Sequence, residues 1–243
     1  MIRVKAAFFS LTPPPTESED IPAYLRWHLL DHMPEQYQLP GIVYALRYVA
    51  DGEYGDHLLA ENGLADRVWG VMNYLVGDPV QQTHDDFMNL GPRLAEVGRL
   101  MTRPSLGLRM LALLKWYSAP KALVSPEVAP FRPHRGIALI VEEPTGRSSS
   151  EWLRWLQEEH YPALLDMAGV AGAWMYGSTN TWKLHPHCDG TQQWITVVYL
   201  DADPVETMKE LQPVVEERWA SGAARPLFAG PMRTMVDWEA WPR

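Results

Sequence analysis

The 243-residue sequence predicts an α+β fold in which one β-α-β-β-α-β unit occurs twice and closes an α/β barrel of pseudo-two-fold symmetry within a single chain. Three observations predict it: an internal repeat, the same order of elements in both halves, and a proline-rich segment between them. Residues 26–48 align without gaps to residues 154–176 and share Arg26/Arg154, Trp27/Trp155, His32/His160, Pro34/Pro162, Gly41/Gly169, Ala45/Ala173 and Tyr48/Tyr176. Further on, WGVMNYLVGDP from Trp69 matches WITVVYLDADP from Trp194, and KWYSAP from Lys115 matches DWEAWP from Asp237. Self-similarity on this scale decides the architecture. Between the halves, SAPKALVSPEVAPFRPHR has prolines at 120, 126, 130 and 133 and no apolar period, the pattern of an extended, semi-rigid linker. The expected units are residues 1–119 and 135–243, joined by a linker at 120–134.

The elements follow in order. VKAAFFSL and GIALIV open the halves as short apolar runs compatible with strands. Asp20 with Pro22 starts the first helix, and Ser148 with Glu151 forms a capping-box pattern for its counterpart. Gly41 and Gly169 then admit the chain to the strands GIVYALRYV and GVAGAWMYG. The third strands are the tryptophan-led runs, which end in Asp78-Pro79 and Asp203-Pro204; Asp suits an N-cap and Pro the first helical position. Second helices are expected over 79–99 and 204–220, and LRMLALLKWY and MRTMVDWEAW as final strands. Two helices for four strands is the ferredoxin-like plan, with both helices on one face of an antiparallel sheet. Two such sheets can bury their bare faces against each other.

Composition narrows the function. A formal charge of −9 and a pI near 5.3 exclude a general polyanion-binding surface, so neither nucleic acid nor an anionic membrane is an expected partner. No run reaches the ~18 apolar residues of a membrane span. A single cysteine, Cys188, excludes an internal disulfide and fits a reducing cytoplasm. Eleven tryptophans and eleven methionines suggest a wide apolar interior or pocket. The nucleotide-binding, P-loop, zinc-protease and serine-hydrolase motifs are all missing.

Trp, then His five residues later, then x-Pro and a Gly-led strand, all inside a ferredoxin-like half, resembles the EthD-like branch of the dimeric α/β-barrel superfamily. The resemblance covers both halves and implies a tandem-fused member. It also implies a range of activities: cofactor-free monooxygenases, cyclases, decarboxylases, dehydratases, lactone isomerases, and haem enzymes such as chlorite dismutases and dye-decolourising peroxidases. For the last of these the expected GxxDG signature is missing, since HPHCDG does not match it.

The residues themselves point to proton transfer. His32 and His160 follow the same pattern, and histidine exchanges protons near neutrality. A purely structural reading competes, in which each histidine braces carbonyls freed by the proline two residues on. The asymmetries leave that choice open but say where a site should be sought, in the first half: His28 stands where the second half has Leu156, Arg47 where it has Met175, and Tyr44 where it has Gly172. Asn73 interrupts an apolar strand. The expected catalytic set is His32, Arg47 and Tyr48. His28, Tyr44, Asn73, Trp27, Trp69 and Trp116 are expected to bind substrate, with His160 and Tyr176 as the structural copy or a second site. His57, His84 and His134 read as surface or loop residues. KLHPHCDG, with His185, His187, Cys188 and Asp189, reads as a loop. The expectation is a cytoplasmic, cofactor-independent enzyme, monomeric or homodimeric, that acts inside the barrel on an apolar, aromatic or polyketide-like small molecule. No metal is expected; haem or a transition metal is the minor alternative. The competing class is a non-catalytic ligand-binding or assembly protein.

Overall fold

A computed structural model describes residues 4–59, 68–145, 150–178 and 193–235. Within them the element order is β1 (Ala6–Thr12), α1 (Ile21–Trp27), a π-turn (His28–His32), α2 (Met33–Gln36), β2 (Ile42–Val49), β3 (Gly70–Val76), α3 (Val80–Glu96) and β4 (Gly107–Ser118). The second half repeats it: β5 (Gly136–Pro144), α4 (Ser150–Trp155), a π-turn (Leu156–His160), α5 (Tyr161–Asp166), β6 (Val170–Gly177), β7 (Trp194–Leu200), α6 (Pro204–Ala220) and β8 (Ala224–Thr234). The strands form a closed antiparallel barrel in the order β1-β3-β2-β8-β5-β7-β6-β4. Each half runs 4-1-3-2 in its own numbering, and the halves join through β2–β8 and β4–β6.

Proline explains the π-turns. Pro34 and Pro162 have no N–H, and their rings crowd the carbonyl four residues back, so the helix opens by one residue just before each. The N–H of Met33 donates to the carbonyl of His28, and that of Tyr161 to the carbonyl of Leu156, both across five residues. His32 and His160 are thus the last residues of matching π-turns. Neither histidine braces a freed carbonyl through Nε2, as the structural reading expects. His32 Nε2 faces Gln36 Nε2 at 3.0 Å, and His160 Nε2 faces Arg218 Nη1 at 3.3 Å.

The repeated glycines have a steric cause. A Cβ on Gly41 would lie 2.1 Å from Thr83 Oγ1, and one on Gly169 would lie 2.4 Å from Thr207 Oγ1. Each strand start is packed against the first turn of the following long helix, and no larger residue fits.

Several expectations are corrected. The last strand is ARPLFAGPMRT, starting eight residues earlier than expected, because Pro226 and Pro231 hid a strand that bulges at Leu227 beside Pro226. Residues 236–243 lie outside the described residues, as do Ser148 and the KLHPHCDG loop. Asp203 caps α6 by accepting from Val205 and Glu206, whereas no side chain caps α3, where Pro79 itself takes the N-cap position. The linker is not an extended spacer: Pro120–Ala122 and Pro126–Phe131 are 3-10 turns, Ala129 and Pro130 are buried, and the indole of Trp174 donates to Pro126 O at 3.0 Å. Finally, Ile42 pairs with Val76 as Val170 pairs with Leu200, so the counterpart of Asn73 is Val197; aligning on Trp69 and Trp194 slips by one residue.

Candidate functional site

Alternation along the strands decides what faces what. Phe9, Leu46, Tyr48, Leu75, Trp174, Tyr176, Tyr199 and Phe228 point inward and pack together, with Phe9, Tyr48, Trp174, Tyr176, Tyr199 and Phe228 at 1% exposure or less. Among the described residues these large side chains fill the barrel interior, and the cavity that the structure shows lies outside it. Ala6, Phe8, Ala45, Met72 and Tyr74 point the other way, toward the helices of the first half.

On that helix side lies a cavity of ≈ 230 Å³. Its walls bring together His28, His32, Trp27 and Tyr24 from the broken helix, Arg47 from β2, and Tyr74 from β3. The π-turn places both histidines on one wall, with ring centroids 5.6 Å apart and edge to face. Trp27 stacks on His32 at 4.8 Å. A polar chain links the two imidazoles: Tyr74 donates to Gln36 Oε1 at 2.7 Å, Gln36 Nε2 meets His32 Nε2 at 3.0 Å, and the Tyr74 hydroxyl lies 3.4 Å from His28 Nε2. The Nδ1 atoms of both histidines are buried without a hydrogen-bond partner.

Arg47 is the charged member. It is 4% exposed, its Nη2 approaches the Tyr24 hydroxyl at 3.4 Å, and its Nε and Nη1 have no hydrogen-bond partner. The nearby carboxylates are committed elsewhere: Asp31 and Glu35 both pair with Arg99, and Glu19 with Arg103. Burial, then the charge of Arg47, push the pKa of His28 down to about 2. His32 is lowered as well, chiefly by burial, against the pull of Glu35 and Asp31. Both rings are therefore neutral at pH 7, the form that can accept a proton.

The segment after α3 forms one wall of the cavity. Gly98 takes a left-handed φ of +68° and donates to Ala95 O, while Arg99 N donates to Leu94 O, a Schellman turn. The turn throws Arg99 back over the π-turn, where it pairs with Asp31 and Glu35 and its carbonyl accepts from the Trp27 indole at 2.9 Å. Leu100, Met101, Thr102 and Arg103 line the cavity behind it. Sequence reasoning missed Tyr24, Gln36, Tyr74 and this segment, since their meeting depends on tertiary packing.

Several sequence candidates lie elsewhere. Tyr48 faces the barrel, where its hydroxyl meets His134 Nε2 at 2.9 Å. His134 lies in the loop before β5, as one of its two readings has it, but is buried at 3% exposure and not at the surface. Tyr44 packs toward the barrel and against Phe131, and Asn73 and Tyr176 are buried in the strands outside the cavity lining. Trp116 is 42% exposed on β4. Trp69 touches the site only through Arg103, whose guanidinium lies 5.1 Å from its ring.

His160 sits in a different environment. Arg218 of α6, fully buried, reaches it at 3.3 Å and pairs with the fully buried Glu142 of β5. An arginine brought in from the helix thus fills the region beside His160. The His160 pKa is pushed down to about 3 by burial and then by Arg218.

No family model matches this chain, and no curated protein matches it. Solved structures do. An anthrone oxidase-like protein superimposes with a TM-score of 0.57 at 9% identity, covering 96% of this chain and 92% of its own. A mutant chlorite dismutase from Candidatus Nitrospira defluvii gives 0.54 at 15%, covering 96% and 91%. A candidate monooxygenase from Fusobacterium nucleatum gives 0.52 at 9%, covering 97% and 94%. The chain therefore shares the dimeric α/β-barrel fold of these proteins over nearly its whole length.

Haem, the minor alternative expected from the sequence, does not fit the cavity as built. Its ≈ 230 Å³ lies below the ~300–1,000 Å³ of ordinary small-molecule pockets. The Nε2 atoms of both histidines are already engaged. Among the described residues no three His, Cys, Asp or Glu side chains are placed to hold a metal, and no helix is long and apolar enough to cross a membrane.

Proposed function

We propose that this chain is a small-molecule enzyme of the EthD-like kind, built as two repeats over 1–119 and 135–243 and working by proton transfer in the helix-side pocket of the first. The observation that carries this reading is the meeting of one buried and one half-buried neutral imidazole with a buried guanidinium that has no carboxylate partner, all in one cavity. His32 is the acid/base group, oriented by Gln36 and Trp27. His28 is held beside it by the hydrogen-bonded chain of Tyr74 and Gln36. Arg47 stabilises negative charge that builds on a substrate oxygen as a neighbouring C–H or O–H gives up its proton. The names of the neighbours, oxidase-like and monooxygenase among them, lean the same way by analogy of fold. Elimination, decarboxylation, cyclisation and cofactor-free oxidation all begin with this step. The second half takes the structural role, because its histidine is locked to a buried ion pair.

The first step is testable without the natural substrate. Small carbonyl compounds incubated with the protein in D₂O should exchange hydrogen for deuterium at the carbon beside the carbonyl, read by NMR. His32→Ala should slow that exchange by about 10²–10⁴, the usual worth of a general base. Exchange at an unchanged rate in the variant contradicts the role given to His32.

A further inference from the structure

We infer that the substrate enters as an anion: a small carboxylic acid whose carboxylate is received by Arg47. The inference deepens the proton-transfer reading and rests on it for the word substrate, although binding can be tested separately.

The argument begins with the cost of a buried charge. A guanidinium at 4% exposure has lost most of its water, and a buried cation normally recovers that loss from an anion or a full set of hydrogen bonds. Arg218 in the second half does so, with Glu142 as its partner and Thr196 Oγ1 at 3.3 Å. Arg47 does not. No carboxylate among the described residues pairs with it, and its one hydrogen bond is the long contact to Tyr24. The groups its charge bears on are His28, His32 and Tyr74, all uncharged, and its guanidinium lies 5.5 Å from the Tyr24 ring. Arg103, the other cation on the cavity wall, also has an Nη1 without a hydrogen-bond partner, but it holds the carboxylate of Glu19 as its counter-charge and donates to Pro13 O at 2.8 Å.

The missing partner is therefore an anion from outside. A carboxylate pairs with it for as long as the acid is bound, and its planar pair of oxygens suits a guanidinium; the charge that builds on those oxygens as the proton leaves falls on the same cation. The cavity also limits the acid to a small one. Trp27, Met72 and Phe87 leave room beside Arg47 for a short apolar body.

The test compares acids with their neutral amides: acetate, propionate and benzoate against acetamide, propionamide and benzamide, by titration calorimetry at pH 7. At least one acid should bind, and more tightly than its amide. Arg47→Met, which installs the residue found at the matched position 175, should weaken that acid by about tenfold or more, as expected when a charged hydrogen-bond partner is lost. Arg47→Lys should recover part of the loss, and the circular dichroism of both variants should match the parent. The inference is overturned if no acid outbinds its amide, or if Arg47→Met binds the acid as well as the parent does. The two ideas fail separately. Deuterium exchange that depends on His32 without acid binding sinks the inference alone; acid binding that depends on Arg47 without any exchange sinks the proton-transfer reading alone.

Discussion

Arg47 and Tyr48 are neighbours in the chain and face opposite sides of one sheet: the guanidinium joins His28 and His32 in the helix-side pocket, and the phenol meets His134 at 2.9 Å in the barrel. The two cannot serve one site. His134 Nδ1 lies 2.9 Å from the carbonyl of Arg132, so Nδ1 carries the proton and bare Nε2 accepts from Tyr48. Tyr48→Phe strips that acceptor of its donor inside a packed interior. It should cost about 1–3 kcal/mol in urea unfolding and leave deuterium exchange by the folded protein unchanged. A large loss of exchange at full stability would return Tyr48 to the site.

Stability should fall on mild acidification. His28, pushed from 6.5 to about 2, and His160, pushed to about 3, stay neutral in the folded protein while the unfolded chain takes up protons. His32 and His134 are shifted in the same direction. The stabilisation is complete above the unfolded value and is lost as pH falls below it, at up to about 1.4 kcal/mol per pH unit for each such histidine. Urea midpoints at pH 7 and pH 5 measure the effect before the carboxylates titrate. His28→Leu, which copies position 156, should flatten the slope by the share of one histidine. An unchanged slope would mean that His28 is not buried as described.

Arg218 and Glu142 form a fully buried ion pair, and removing one partner leaves the other charge alone. Arg218→Met should cost about 3–5 kcal/mol, and adding Glu142→Gln should recover a substantial part of it. Chemical denaturation of the two single variants and the double variant gives the coupling. Additive losses would show that the pair is not energetically linked.

Arg99 should matter more for the proton on His32 than for folding. Its ion pairs lie at the surface, where solvent screens them, so Arg99→Ala should cost little stability. The carboxylates of Asp31 and Glu35, freed of their counter-charge, should then raise the His32 pKa above that of the parent. An NMR titration of the imidazole reads this, and a fall in the variant would contradict the arrangement.

Much of the fold was legible because it rests on local chemistry. The repeat, the Asp20 and Asp203 caps, and the glycines at 41 and 169 each follow from a steric or hydrogen-bonding need that short stretches of sequence express. The π-turns were half legible: proline announced a break, but not the extra residue that turns His28 and His32 onto one wall. The last strand was missed because its prolines read as breakers. The asymmetries at His28 and Arg47 pointed to the half in which the cavity lies. The face was not legible, because alternation splits Arg47 from Tyr48 without saying which set looks into the barrel. That choice depends on how eight strands close and on the large side chains that fill their centre. Tyr74, Gln36 and Arg99 come from distant positions and carry no shared motif.

The most direct measurement is a crystallographic soak with small carboxylic acids and carbonyl compounds, read by where the density appears. Density between the helices and the sheet of the first half, against His28, His32 and Arg47, is the predicted result. Ligand density found only inside the barrel or beside His160, with the first-half cavity empty under the same soak, would contradict the placement of the site.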